Sequence, residues 1–316
     1  MFRFNEFKAS GLSNPRLEPL KGDDTYTIVY FYQPDEQFFK DLNNQYQQDF
    51  SSLFFEETDA QYSVGTSIND YEYISLLLLY PKEKNETKLE RMVESLLILR
   101  CENLVIVITE EKEAFVSEFL KKCSNVEATP EESMVGIVSS CLEKMAEDAH
   151  RIRDEIDALE RSINENGPTH SVFNNLLQLK KYLITLSLTY DSDDKIIEFF
   201  KREKNFLNIK SKGSNSIIQL EEELDSLKKL THSYNQYLAS LDGMINNLGS
   251  FRLNTIMKTL TEISIVLTIP AMTYGFWGIN VKLPFEESPI GFLFVFGISL
   301  LVSGGAWYWI RKMKFL

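Results

Sequence analysis

Cysteine, histidine and basic charge are all scarce in this chain of 316 residues. Its three cysteines, Cys101, Cys123 and Cys141, and its three histidines, His150, His170 and His232, are scattered, with no Cys-x-x-Cys pair and no zinc-ligand spacing. An odd, dispersed cysteine set fits a reducing compartment. Lysine and arginine number 33 against 46 acidic residues, for a formal net charge of −13. That balance argues against a nucleic-acid partner, which needs a basic face. It suits a chain that meets cations, although solubility alone also accounts for a bare charge count. No glycine-rich phosphate loop occupies a strand-to-helix turn, and GTSIND at Gly65–Asp70 reads as a turn. No catalytic constellation occurs either, so an enzyme is not expected. The N-terminal stretch MFRFNEFKASGLSNPRLEPL lacks the apolar core of a signal peptide, so the long N-terminal part is expected to stay on the side where it is made.

What the chain does have changes along its length. The first 125 or so residues read as mixed α/β. DTYTIVYFYQ (Asp24–Gln33), YEYISLLLLYP (Tyr71–Pro81) and NLVIVIT (Asn103–Thr109) read as strands, being rich in β-branched, aromatic or continuous apolar residues. PDEQFFKDLNNQY, TKLERMVESLLILR and EKEAFVSEFLKKC carry helical patterns between them. From about Glu131 the texture is helical. Ile152, Ile156, Leu159 and Ile163 form an apolar stripe in an acidic helix that NENGP (Asn164–Pro168) breaks. A second helix spans about Ser171–Tyr190, with DSDD (Asp191–Asp194) interrupting or decorating it. In a third, Leu220, Leu224, Leu227, Thr231, Tyr234, Leu238, Leu241, Ile245 and Leu248 keep heptad spacing, so it packs against other helices. No proline interrupts Asn215–Ile269. A helix continuing to Trp277 would be a stalk of about 95 Å.

Charge is absent from two C-terminal runs, ISIVLTIPAMTYGFWGI (Ile263–Ile279) and IGFLFVFGISLLVSGGAWYWI (Ile290–Ile310). A span needs about 20 residues. The second run qualifies outright, and the first is slightly short. The link NVKLPFEESP is only a loop, so two spans form a hairpin. Arg311, Lys312 and Lys314 follow the second span and place both termini in the cytoplasm. Thr261, Ser264 and Thr268 recur on one side of the first span, and Met257 and Met272 extend the stripe. Hydroxyls bonded back to the i−4 carbonyl, or small residues for helix packing, explain it plainly. The sharper reading is a water-filled path between several copies of this helix.

Together these features resemble the CorA family of magnesium transporters over nearly the whole length: an α/β domain, an acidic helix pair, a long stalk helix, two spans and a basic tail. The family carries a Gly-Met-Asn tripeptide at the end of the first span. Here it reads Gly278-Ile279-Asn280, within YGFWGIN and before a loop holding Pro284, Glu286 and Glu287. The implied organisation is a cytoplasmic α/β domain over 1–125, a cytoplasmic helical stalk region over 126–256, and a transmembrane hairpin with a basic tail over 257–316. The resemblance further implies a homopentamer in the plasma (inner) membrane that takes up divalent cations, Mg²⁺ foremost, with no organic cofactor.

In that frame Gly278, Ile279 and Asn280 form the outer selectivity mouth. Met257 and Leu260 form the cytoplasmic constriction, and Thr261, Ser264, Thr268 and Met272 continue the pore lining. Glu286 and Glu287 attract cations at the outer loop. Cytoplasmic Mg²⁺ is expected to favour closure by binding near the acidic helices, where Glu143, Glu147, Asp148, Asp154, Glu155, Asp157 and Glu160 crowd one and Glu221–Asp225 another. Its ligands stay unassigned. Ile279 in place of Met bears on ion choice more than on fold. It leaves open a zinc, cobalt or nickel transporter of the same superfamily. A membrane-anchored coiled coil with no pore is the reading from another class.

Overall fold

The computed structural model describes residues 3–11, 17, 26–82, 93–123, 129–203, 211–278 and 289–312. The described residues divide into two compact units, Met1–Asp242 and Gly243–Leu316.

The first unit is built on a six-stranded mixed sheet, β1 (Arg3–Lys8), β2 (Thr27–Tyr32), β3 (Gln61–Thr66), β4 (Glu72–Pro81), β5 (Val93–Cys101) and β6 (Leu104–Thr109). In space the order is β1-β2-β6-β5-β4-β3. β1, β2 and β6 run parallel, while β6, β5, β4 and β3 pair antiparallel in succession. The central strands are buried on both faces, which is why they read as continuous apolar runs. On one face Val29, Phe31, Leu77, Leu97, Leu99 and Ile106 pack under α1 (Glu36–Tyr46) and α2 (Phe50–Phe55), through Phe38, Phe39, Phe50 and Phe54. Both helices begin at an aspartate, Asp35 and Asp49, whose side chain accepts backbone N–H bonds in the first turn.

The other face meets α3 (Ala114–Cys123), α4 (Pro130–Asn166) and α5 (His170–Arg202). Thr129 and Glu132 close a capping box around Pro130, so the start of α4 is written locally. The NENGP break is equally local: Gly167 takes φ 67 at the C-cap of α4, a conformation open to glycine. The long α6 (Ser211–Trp277) brings Ile217, Leu220, Leu224, Leu227, Thr231, Leu238 and Leu241 into this core. The heptad seam is therefore real packing, supported by Tyr237 donating to Glu160 of α4 (2.7 Å) and Lys180 of α5 pairing Asp242 (2.5 Å).

Two sequence expectations change, and two strands appear that the sequence did not announce. The helical pattern over Thr87–Arg100 belongs to a strand from Val93 onward. A strand paired on both sides and buried on both faces loses its period of two, and a short apolar run of that kind looks the same as a buried helix. Strands β1 and β3 carry no strong pattern because they are edges, mostly exposed along their length. The second helix does not stop at Tyr190; α5 runs through DSDD to Arg202.

That passage explains itself at the sheet. Two residues beyond the end of the β3–β4 ladder, where Gln61 faces Leu77, the Leu79 N–H donates to Asp193 Oδ1 (3.0 Å). Asp193 is 1% exposed, and its Oδ2 has no partner among the described residues. Burial, with Asp59 nearby, pushes its carboxyl well above the usual 3.8. The folded state thus holds a proton that the unfolded chain releases above about 3.8, and stability falls as pH rises from there toward the raised value. Asp193→Asn keeps the acceptor and removes the ionisation. Unfolding of the detergent-solubilised chain at several pH values should show wild type losing up to about 1.4 kcal/mol per pH unit more than the Asn variant; equal slopes would contradict it.

Candidate functional site

The second unit contains the C-terminal part of α6 and α7 (Pro289–Lys312). Both are long and apolar enough to cross a membrane. Their exposure is one-sided. On α7, Gly291, Val295, Ser299 and Ser303 are buried at four-residue spacing, while Leu293, Leu300, Leu301 and Val302 are exposed. On the membrane part of α6, Glu262, Val266, Ile269, Pro270 and Thr273 are the half-buried positions. At about 100° per residue they fall within about 60° of one direction. These stripes are the shielded faces of the two helices, and the small residues on α7 are the kind that let a neighbouring helix approach closely.

The residues singled out in the sequence lie on the other side. Met257, Leu260, Thr261, Ser264, Thr268 and Met272 all fall within about 60° of the direction opposite Val266. All are exposed, Met257 at 60%, Leu260 at 57% and Met272 at 75%. Thr261 donates its hydroxyl to the Met257 carbonyl (2.8 Å) and Thr268 to the Ser264 carbonyl (2.7 Å). Thr255, Thr259 and Thr273 do the same one turn back. The plain account of the hydroxyls holds within one chain. It also has a chemical consequence: a threonine whose proton is committed to the backbone presents only lone pairs outward, and so acts as an acceptor.

The end of α6 has no basic residue in its last turn. Gly278 follows Trp277, its N–H donating to the Tyr274 carbonyl (3.0 Å). The helix end carries free carbonyls and a partial negative charge, which favour a cation. Ile279, Asn280, Glu286 and Glu287 lie outside the described residues. The far end of α7 is basic, with the Arg311 guanidinium 4.4 Å from the Trp307 ring centre.

In the first unit some carboxylates of the acidic helices are paired with cations of the same chain. Asp148 is buried between Lys144 and Arg151, Glu221 pairs with Lys201 (2.7 Å) and Asp225 with Lys229 (2.5 Å). Glu223 of α6 is an exception: burial, with the Glu143 charge of α4 added, raises its carboxyl above 4.5. Among the described residues, no group of three or more His, Cys, Asp or Glu is placed to hold a metal ion. A cavity of about 750 Å³ lies among α2, α5, β4 and β5, lined by Phe55, Lys82, Glu94, Glu110 and Leu188 among others. Its innermost charge, Glu94, is held by Lys82 (2.7 Å) and Tyr80 (2.8 Å).

Sequence reasoning passed over the α7 face and Pro270. The four-residue spacing of Gly291, Val295, Ser299 and Ser303 was the available signal for the first. Pro270 lacks an N–H, so the Val266 carbonyl loses its helical partner.

A sheet domain, a helix of 67 residues and two C-terminal apolar segments long enough to cross a membrane are the architecture of a membrane protein. The family model described as CorA-like Mg2+ transporter protein matches residues 23–312, and the chain belongs to that family. The cobalt/magnesium transport protein CorA of Methanocaldococcus jannaschii is 24% identical over 153 residues. That alignment spans 48% of this chain and 47% of the relative, so the chain matches about half the length of this curated relative. The complete CorA magnesium transporter structure from the same organism superposes with TM-score 0.77 at 18% identity, covering 96% of this chain and 95% of that one. The cytoplasmic domain of ZntB from Vibrio parahaemolyticus superposes with TM-score 0.53 at 12% identity, covering 70% and 86%. At these identities the structural matches establish the fold.

The shielded stripes make a local prediction. Ser299→Leu forces extra volume into the α6–α7 seam, at a cost of about 1–3 kcal/mol, while Leu301→Val on the exposed side is close to neutral. Thermal unfolding in detergent should show a lowered midpoint for Ser299→Leu alone; equal midpoints would refute the packing.

Proposed function

We propose that this chain assembles as a homopentameric channel that takes up Mg²⁺ across the plasma membrane, the membrane part of α6 lining the pore. The observation that carries the reading is the exposure of Met257, Leu260, Thr261, Ser264, Thr268 and Met272 on the side of α6 opposite its half-buried face. Polar side chains facing lipid are costly. Neighbouring copies relieve that cost by enclosing the stripe around an aqueous path. Residues 1–125 form the cytoplasmic α/β domain in this reading, 126–256 the stalk region and 257–316 the hairpin, with both termini cytoplasmic.

The chemistry suits a hydrated ion. Mg²⁺ releases water reluctantly, and conduction needs binding that is also easy to leave. Committed threonine hydroxyls offer acceptors to the water shell. At the outer mouth the Asn280 amides supply neutral oxygens next to Gly278, with Ile279 at the middle position, and Glu286 and Glu287 raise the local cation concentration. Met257 and Leu260 form an apolar constriction on the cytoplasmic side. Cytoplasmic Mg²⁺ favours closure by offsetting carboxylate repulsion between copies.

A second ion choice within the superfamily, Zn²⁺ or Co²⁺/Ni²⁺, draws support from Ile279 in place of Met and from Thr268 on the stripe. Purified protein in liposomes, offered Mg²⁺, Zn²⁺, Co²⁺ and Ni²⁺ with and without a proton gradient, separates the two. Mg²⁺ uptake without a gradient is expected, lowered at least about tenfold by Asn280→Ala. Gradient-dependent Zn²⁺ uptake supports the second choice. Absence of any uptake returns the chain to a membrane-anchored coiled coil.

A further inference from the structure

The DSDD turn of α5 faces two partners at once. Successive residues of a helix point about 100° apart, so four polar residues in a row cannot share one side. Ser192 and Asp193 are buried against the sheet. The Ser192 hydroxyl accepts the Ala60 N–H and donates to Asp59 Oδ1 (2.7 Å), while Asp193 Oδ1 accepts the Leu79 N–H (3.0 Å). Ala60 and Leu79 belong to the end of the sheet where the β3–β4 ladder has stopped. Lys195, on the same stretch of α5, pairs with Asp59. These bonds supply the partners that a third strand residue would otherwise have given.

Asp191 and Asp194 point the other way. Lys228 of α6 reaches both, 2.9 Å to Asp194 and 3.4 Å to Asp191. The two carboxylates stand three residues apart, about 4.5 Å along the α5 axis. One flexible ammonium is therefore shared between two seats nearly one helical turn apart. The remaining described ion pairs from α5 to α6, Lys201–Glu221 and Lys180–Asp242, each have a single seat. The turn thus joins the open edge of the sheet to α6 through side chains that cost a helix propensity, since aspartate and serine are poor helix formers. A solvated surface does not need Ser192 and Asp193 to be buried, and a purely apolar core does not need Lys228.

We propose that the Asp191–Asp194 turn is a coupling element, passing the state of the sheet edge at Ala60 and Leu79 to α6 through Lys228. Its two carboxylate seats let α6 shift by a fraction of a turn along α5 without losing the ion pair, the small discrete displacement that packed helices use in switching. Because α6 is one helix from Ser211 to Trp277, the shift reaches the residues assigned to the pore. That consequence rests on the transport reading; the coupling itself does not.

The test uses the full chain in nanodiscs or liposomes with three variants. Lys228→Gln removes the shared cation, Lys228→Arg keeps it, and Lys229→Gln removes a neighbouring lysine whose partner, Asp225, lies on the same helix. Hydrogen exchange followed by mass spectrometry reads peptides containing Ala60 and Leu79, with β6 peptides as reference. Lys228→Gln is expected to speed exchange at Ala60 and Leu79 at least fivefold, with β6 unchanged and with Lys228→Arg and Lys229→Gln near wild type. Unchanged exchange in Lys228→Gln overturns the coupling, as does equal acceleration in all peptides, which marks a general loss of stability.

The same proteins are assayed for ion uptake against internal Mg²⁺. A shift of at least threefold in the half-inhibiting Mg²⁺ concentration, with maximal uptake within twofold of wild type, is expected for Lys228→Gln alone. An unshifted value beside altered exchange overturns the regulatory role. Absence of uptake in wild type defeats the transport reading instead, and the exchange result still decides the coupling.

Discussion

In the membrane unit, α7 can cover only one side of α6. The half-buried positions Val266, Ile269, Pro270 and Thr273 mark the one shielded side of α6. Everything on the opposite side of α6 must then face lipid, water or another copy. Hydrocarbon supplies no hydrogen-bond partners, and the uncovered side is the one that carries Thr261, Ser264 and Thr268. Back-donation of the Thr261 and Thr268 hydroxyls to carbonyls four residues earlier lowers the cost of exposing them without removing their acceptor character. The same side chains are thus tolerable in one chain and useful around an ion path. The apolar ends of the stripe, Met257 and Leu260 on one side and Met272 on the other, limit the polar part to a short central stretch.

The first unit answers a different need. α6 is held there by apolar seam residues and by a small number of polar ties, which arrive from α4 and α5 rather than from the sheet. The DSDD turn is where the sheet edge and α6 are bound by the same helical turn. Its buried half repairs an incomplete strand pairing, and its outer half shares a lysine. This arrangement explains why a run of four poor helix formers persists in the middle of α5. Burial at this position, with Asp59 nearby, raises the Asp193 carboxyl pKa against the opposing pull of the Leu79 N–H bond.

Much of this was legible in sequence, for physical reasons that can be named. The heptad seam of α6 and the charge-free C-terminal runs are long, periodic signals that tertiary context cannot easily override. The NENGP break that ends α4 at Gly167 is local chemistry. Strand β5 was not legible, because a strand buried on both faces carries the apolar run of a core helix. The edge strands β1 and β3 were not, because their stability comes from partners. The stripe on α6 could be read from spacing, but not its orientation, since spacing alone does not say which face α7 covers. DSDD was visible as an oddity, while its meaning depended on Leu79, Ala60 and Lys228, residues far apart in the chain.

The account stands or falls on whether the uncovered face of α6 borders water. The most direct measurement is the reaction of single cysteines at Thr268 and Val266, in an otherwise cysteine-free protein in liposomes, with a membrane-impermeant thiol reagent. Thr268→Cys should react rapidly and lose Mg²⁺ uptake on modification, whereas Val266→Cys should remain unreactive. Reaction at Val266→Cys with Thr268→Cys inert would contradict the assignment of the faces, and the pore with it.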